Sequence, residues 1–211
     1  MKKAHLTLLL PVAVLIFSCA TNKPMGPATR ELEKAAVCCA GYENFDFQPL
    51  KFESTQDITI DTSSPVFSFD SGKSYFKAFR LPVQSRSYFI VVSSHFVDKD
   101  NLSRSPYVFS PVIMLLDAEY RVTRKLEQGV VKPIPSGNSM NHASIEFDIK
   151  VNPRTANERF MVIYTTAALL NEMTALNVLK TTLVGQVVET HYPIQNAPVG
   201  KIQILTTPWI E

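Results

Sequence analysis

The sequence predicts a mostly β protein: a β-sandwich or jelly-roll-like domain with one or two short helices, preceded by a lipoprotein signal peptide and a tether. Short runs of alternating or β-branched residues, separated by turn residues, fill the chain from Phe45 onward. The apolar stretch near the N-terminus is too short to span a membrane. A length of 211 residues suits one β-rich domain with an N-terminal extension.

Residues 1–18 have the features of a bacterial export signal. Two lysines precede the apolar run Leu6–Phe17, which is far shorter than the roughly 20 residues of a spanning helix. The stretch Leu15–Cys19 resembles the bacterial lipobox, which implies a diacylglyceryl group on Cys19 as the first mature residue. The residue that follows Cys19 is Ala20 and not an aspartate, which fits sorting of a lipoprotein to the outer membrane. The alternative is secretion without a lipid, with cleavage near the same position.

The charge balance argues against a nucleic-acid partner. Once the two lysines leave with the signal peptide, 19 of the 21 Lys and Arg residues remain against 19 Asp and Glu residues. The mature chain is thus nearly neutral and carries no basic stripe of the kind that binds nucleic acid.

Cys38 and Cys39 remain as an adjacent pair if Cys19 carries the lipid. Consecutive Cα atoms lie about 3.8 Å apart, below the range that disulfides prefer. Three arrangements are open: a vicinal disulfide, a bridge to another protein, or two packed thiols. We favour the vicinal disulfide, as a rigid turn. A metal site is not expected, because the chain has no second cysteine pair and no His-rich segment.

Residues 19–37 are interpreted as a lipid-anchored tether that precedes the domain at 38–211. Thr29 is predicted to cap a short helix over 30–36. As a spacer, this segment would hold the domain away from the lipid. The alternative is an arm packed on the domain.

Alternation and β-branched runs predict the strands of the domain in order. They are expected at 57–61, 66–70, 74–81, 88–92, 112–117, 121–126, 144–151, 160–164 and 201–205. The pair 112–117 and 121–126 is predicted to form a hairpin, and 128–141 an exposed loop. Thr165 or Thr166 is expected to cap a helix to about Met173.

Four short motifs follow one another in a characteristic order. They are the Cys38-Cys39 pair followed by Phe45 and Pro49-Leu50, the segment Phe109–Asp117, the junction Val162–Thr166 and the closing segment Ala197–Ile202. In this order they resemble the maltose operon periplasmic protein family, MalM. The resemblance implies a periplasmic accessory protein in maltose and maltodextrin uptake, with no recognised active site and no cofactor.

The lipid on Cys19 would add outer-membrane anchoring beside a sugar porin. Two functions remain open, and neither is enzymatic. In the first, the domain binds maltodextrin or another oligosaccharide. In the second, it is an envelope scaffold that binds a porin or another uptake component and no sugar. Fold likeness to galactose-binding jelly rolls does not decide between them.

Sugar binding needs exposed aromatic rings beside hydrogen-bonding groups. The candidates are the aromatic residues predicted in turns or near the C-terminus: Trp209, Tyr107, Tyr120 and Tyr192. Each also fits an ordinary core or rim position.

Two other patterns are interpreted as structural. The segment Asp70–Ser74 ends like a phosphate-binding loop, but Phe67 stands where that motif has its first glycine, so a hairpin turn with a solvated Lys73 is expected. The three histidines of the mature chain lie far apart in the sequence and fit no nucleophile or zinc-ligand spacing. They are His95, His142 and His191.

Overall fold

In the computed structural model, which describes residues 26–98, 105–135 and 137–209, the chain forms sixteen strands and two α-helices. The predictions for the signal peptide and Cys19 lie outside these residues. The helices are α1 (Pro27–Lys34) and α2 (Ala167–Leu170). The strands are β1 (Gln48–Pro49), β2 (Thr55–Ile60), β3 (Val66–Phe69), β4 (Gly72–Tyr75), β5 (Lys77–Arg80), β6 (Tyr88–Val97), β7 (Tyr107–Phe109), β8 (Val112–Leu116), β9 (Val122–Leu126), β10 (Val130–Lys132), β11 (Ile134–Pro135), β12 (Ser144–Val151), β13 (Phe160–Tyr164), β14 (Met173–Thr181), β15 (Val187–Ala197) and β16 (Gly200–Pro208).

Two packed sheets confirm the mostly β prediction, with 51% of the described residues in strands and 10% in α- and 3-10 helices. The first sheet has the order β1-β5-β13-β8-β9. In the second sheet, β6 pairs with both β12 and β16, β12 continues to β10, and β16 continues to β2. The end of β6 pairs with β7, from which the sheet runs through β15 and β14 to β11. Strand β6 is therefore the centre of the second sheet.

The main core lies between these sheets because each sheet turns one apolar face inward. Strand β12 alternates as predicted: its four apolar side chains from Ile145 to Val151 are buried, whereas Asp148 and Lys150 are exposed. Ile113 and Ile163 face them from the first sheet, within the same cluster of buried residues. The predicted hairpin is also confirmed, since β8 and β9 pair antiparallel.

A second apolar cluster covers the outer face of the first sheet. The β3–β4 hairpin and the segment 38–47 lie over it, with Phe45 and Phe76 in contact at a centroid distance of 4.2 Å. Phe69 stacks on Tyr164 of β13 at 3.9 Å. The predicted strand 74–81 is split at Phe76, because β4 pairs with β3 in this covering layer and β5 pairs with β13 in the sheet.

Helix α1 packs on the domain. From residue 26 onward, the segment predicted as a spacer is therefore an arm packed on the domain, which was the alternative interpretation. Leu32 is buried in the main core, and Lys73 Nζ donates hydrogen bonds to the carbonyls of Glu33 and Ala35 at 2.9 and 2.7 Å. Lys73 therefore satisfies carbonyls at the helix C-terminus instead of being solvated as predicted. The predicted cap Thr29 is wrong, because Pro27 already occupies the first turn after Gly26.

Two predictions for the second half of the chain need correction. The segment 128–141 contains β10, β11 and a 3-10 helix at Met140–His142, because β10 pairs with β12 and β11 with β14. Thr166 caps α2 as expected, through its side chain, but the helix ends at Leu170. The chain then enters β14, which forms a long antiparallel ladder with β15. No helix among the described residues is long and apolar enough to cross a bilayer.

Candidate functional site

The four predicted sugar-stacking residues lie in different surroundings. Trp209 is half-buried beside Phe89, at a centroid distance of 4.6 Å, and Lys150 Nζ lies 3.5 Å from the centroid of its ring. Tyr107 is only 5% exposed. Tyr192 is 39% exposed and its hydroxyl accepts a hydrogen bond from Lys180 Nζ at 3.0 Å. The structure does not bring these three rings onto one surface with Tyr120.

Tyr120 lies in the β8–β9 turn in an unusual backbone conformation, with φ of 62°. This left-handed region is unfavourable for side chains other than glycine, asparagine and aspartate. Asp117 holds the turn: its Oδ1 accepts the N–H groups of Glu119 and Arg121, both at 2.9 Å, and its Oδ2 accepts Arg121 Nε at 2.8 Å. The Tyr120 N–H donates to the Asp117 carbonyl at 3.2 Å. These bonds therefore hold the backbone from which the Tyr120 ring extends.

The charge state of Asp117 matches this role. Desolvation acts to raise the pKa of its carboxyl group, but the hydrogen bonds and charge from Arg121 and the N–H of Glu119 outweigh it and lower the pKa. Asp117 is therefore ionised at neutral pH and accepts all three hydrogen bonds.

Three half-buried rings meet at this turn, and we call them the aromatic patch: Phe47, Tyr120 and Phe160. Tyr120 stacks on Phe160 with a centroid distance of 4.9 Å and an interplanar angle of 15°. Phe47 lies 4.3 Å from Phe160 and 5.8 Å from Tyr120. Each ring stays partly open to solvent. The patch lies where the covering layer of the first sheet ends, next to the buried Phe45.

Charged side chains lie beside the aromatic patch, on β5 and in the β8–β9 turn. Arg80 is the register partner of Phe160 on β5, so the two side chains leave the sheet on the same face. Arg121 Nη2 donates to Glu119 Oε2 at 2.9 Å. Asp46 and Gln48 flank Phe47, and both are exposed. Guanidinium groups donate hydrogen bonds and carboxylates accept them, so the rim offers both kinds of partner to a ligand rich in hydroxyl groups.

An ion pair between the buried Glu158 and the partly exposed Arg124 fixes the start of β13. Glu158 accepts hydrogen bonds from Arg124 Nε and Nη2, both at 3.1 Å. Desolvation raises the pKa of Glu158, and Arg124 only partly opposes this effect. The Arg159 N–H donates to the Leu116 carbonyl at 2.7 Å, so Phe160 follows two anchored residues.

A groove of about 520 Å³ lies between α1, α2 and the end of β15. Its lining is mostly apolar and includes Tyr107 and Leu32. The side-chain N–H groups of its amides bind the α2 carbonyls: Asn196 Nδ2 donates to Leu169 O at 2.8 Å and Asn171 Nδ2 to Ala167 O at 2.9 Å. These donors hold α2 in place and are not directed at a ligand.

Cys38 and Cys39 are joined in a vicinal disulfide in the structure. The Cys38 N–H donates to the Val66 carbonyl at 2.9 Å, and Cys39 packs against the second apolar cluster. The disulfide therefore lies at the start of the covering layer whose other end carries Phe47.

The remaining patterns have structural positions. Gly72, with φ of 111°, makes the β3–β4 hairpin turn as predicted. The three histidines lie on β6, on the 3-10 helix and on β15. Across the described residues, no group of three or more His, Cys, Asp or Glu side chains is arranged to hold a metal ion.

Sequence reasoning found Tyr120 but missed its two partners in the patch. The sequence predicts Phe160 in a buried strand. The strand is observed, but Phe160 is its first residue and its ring is only half-buried. Phe47 lies in an irregular segment far from Tyr120 in the sequence, so only the folded chain brings the rings together.

The family model described as "Maltose operon periplasmic protein precursor (MalM)" matches residues 71–202, well over half of the chain. The matched segment runs from the β3–β4 turn into β16 and contains Tyr120 and Phe160, whereas Phe47 precedes it. No curated protein and no solved structure is similar enough to this chain to count as a match.

Proposed function

Because the chain belongs to the maltose operon periplasmic protein (MalM) family, we propose that it serves maltodextrin uptake as a non-catalytic accessory protein that binds oligosaccharide on the aromatic patch. The protein is accordingly a periplasmic one. The proposal has three parts: the ligand is an oligosaccharide, it binds on the aromatic patch, and the protein catalyses no reaction.

The observation that carries the proposal is the conformation of Tyr120. A residue other than glycine at φ of 62° costs about 1–2 kcal/mol relative to the right-handed region. Strain of this kind concentrates at functional sites, where the surrounding structure holds it in place. Here Asp117 maintains the strained turn, and the result is a tyrosine ring stacked on Phe160 at the surface.

The chemistry of the patch suits an α-linked glucose chain. A pyranose ring presents an apolar face of C–H groups, which packs against an aromatic ring, while its hydroxyl groups point outward and need hydrogen-bond partners. The three rings supply the apolar surface. Arg80, whose register partner is Phe160, supplies donors beside them, and Glu119 in the Tyr120 turn supplies acceptor oxygens.

Anchoring is the second part of the proposal. A lipid on Cys19 would hold the domain at the outer membrane, near the porin through which maltodextrins enter. One acyl chain gives only marginal binding and two or more give stable anchoring. Cys19→Ala is expected to move the protein from the membrane fraction into the released periplasmic fraction. Unchanged membrane association would contradict the lipid assignment.

Sugar binding is tested by calorimetric titration of the full chain with maltose through maltoheptaose. The detergent that keeps the protein dispersed must not be a glycoside, because an alkyl maltoside would occupy the same surface. Cello-oligosaccharides of equal length are the control, since they offer the same hydroxyl groups on a β-linked chain. Saturable heats that strengthen with length for the maltose series, and weaker heats for the control series, are expected.

Flat heats for both series, together with a melting temperature unchanged by millimolar sugar, would contradict the sugar-binding proposal. That result would favour the other function considered for this chain, an envelope scaffold that binds a porin or transporter component and no sugar.

A further inference from the structure

The ribbon formed by β14 and β15 is anchored at its base and fully exposed at its tip. Near the base, Leu176 and Ile194 are buried in the main core. At the tip, which we define as residues 181–188, Leu183 is 108% exposed and Val184 is 80% exposed. Val187 and Val188 are also exposed. Four neighbouring aliphatic side chains are thus exposed at the end of the ribbon.

The tip is also free of charge. Its sequence is Thr-Thr-Leu-Val-Gly-Gln-Val-Val, between Lys180 and Glu189. A solvent-exposed hairpin end of this length ordinarily carries charged or turn-type polar residues, which protect the strand edges from aggregation. An apolar, uncharged tip instead has the composition of a segment that enters an apolar environment.

The backbone of the tip is largely satisfied internally. The Thr182 N–H donates to the Gln186 carbonyl at 2.7 Å, and the Gly185 N–H donates to the Thr182 carbonyl at 2.9 Å. The Gln186 N–H donates to Thr182 Oγ1 at 3.1 Å. Internal satisfaction of backbone groups is what a lipid environment requires, since lipid tails offer no hydrogen-bond partners.

A cationic and aromatic pair lies behind the tip. Lys180 Nζ donates to the Tyr192 hydroxyl at 3.0 Å and lies 5.7 Å from the centroid of the tyrosine ring. Tyrosine is enriched at the level of lipid headgroups, and lysine extends its ammonium group to the anionic surface while its methylenes stay in apolar contact. Two strand steps, about 7 Å of extended chain, separate Lys180 from Thr182, where the turn begins, and this depth matches shallow insertion at the boundary of headgroups and acyl chains.

We propose that the ribbon tip inserts into the surface of a lipid bilayer and is a membrane contact separate from any lipid on Cys19. Leu183, Val184 and Val187 enter the acyl boundary, Val188 lies at the level of its register partner Lys180, and Lys180 with Tyr192 lies among the headgroups. This inference does not depend on sugar binding, because the tip and the aromatic patch are on different sheets.

The test uses a tryptophan reporter in the full chain. Trp209→Phe removes the native tryptophan and keeps an aromatic ring against Phe89. Leu183→Trp then places the reporter at the tip. Val83→Trp in the same background is the matched control, because Val83 is 88% exposed and lies in the segment between β5 and β6. Both proteins are mixed with vesicles of phosphatidylethanolamine and phosphatidylglycerol.

The expected result is a shift of Leu183→Trp emission to shorter wavelength on vesicle addition, with quenching by phospholipids brominated on their acyl chains. The Val83→Trp emission should show neither change. An unchanged Leu183→Trp spectrum with vesicles would overturn the proposal. The same result is expected if the tip binds a protein partner and not a bilayer. Emission at short wavelength without vesicles, increasing with protein concentration, would overturn it in favour of pairing between two copies.

Discussion

Replacing Tyr120 by glycine and by alanine should reverse the usual order of stability of these two residues. Both substitutions remove the same ring contacts with Phe47 and Phe160. They differ in the backbone, because alanine keeps the cost of a φ of 62° and glycine does not.

The expected difference follows from two opposing terms. The left-handed conformation costs about 1–2 kcal/mol for an L-residue, which glycine avoids. Glycine loses about 0.4–1 kcal/mol more conformational entropy on folding than alanine does. Tyr120→Gly should therefore be more stable than Tyr120→Ala by about 0.5–1 kcal/mol. For a domain of this size the melting temperatures should differ by about 1–4 °C.

Urea unfolding of the full chain measures this difference, with Tyr192 as the control position. Tyr192 is also an exposed tyrosine, but it lies within strand β15 and does not have a positive φ. Among the described residues other than glycine, only Glu53 and Tyr120 have one. At Tyr192 the alanine variant should be the more stable one. If alanine is the more stable variant at both positions, the argument that Tyr120 is held in a strained conformation is wrong.

Three further perturbations test other parts of the structure. Ser74→Ala should lower the free energy of unfolding by about 1–3 kcal/mol, because Ser74 Oγ accepts the buried Thr165 N–H at 3.0 Å. Ser68 is exposed, so the control Ser68→Ala should change it by less than about 0.5 kcal/mol. Equal effects of the two substitutions would contradict a stabilising hydrogen bond from Thr165 to Ser74. Because the pKa of Glu158 is raised, the folded state keeps this carboxyl proton to higher pH than the unfolded state does. The free energy of unfolding of the native chain, relative to that of Glu158→Gln, should therefore fall as pH rises from about 4 through the folded pKa. A relative free energy of unfolding that rises with pH would contradict the raised pKa. Mild reduction of Cys38–Cys39 should lower the melting temperature, because it frees the start of the covering layer; two titratable thiols in the unreduced native protein would contradict the disulfide.

The fold was predictable wherever the pattern was local. Strand β12 was predicted at its observed bounds because its alternation places every second side chain in the core. The β8–β9 hairpin followed from two apolar runs around a short link. Strands β14 and β15 were missed because residues 173–181 have no clear alternation, and the ladder between the two strands determines their conformation.

The candidate site was predictable only in part. Tyr120 was selected because it lies in a turn, but its strained backbone depends on Asp117 and cannot be deduced from residue types. Phe47 joins the patch only because the covering layer folds back over the first sheet. Tyr107 was expected near the surface and is buried, because β7 pairs with β15 and with the end of β6.

The most direct test of the central claim is the titration of maltoheptaose into three proteins: the native chain, Tyr120→Gly and Tyr192→Ala. If the aromatic patch binds the sugar, the native chain and Tyr192→Ala give the same saturable isotherm, and Tyr120→Gly binds at least about tenfold more weakly, the equivalent of about 1.4 kcal/mol. Equal affinity in all three proteins, or no heat from the native chain, would contradict the account.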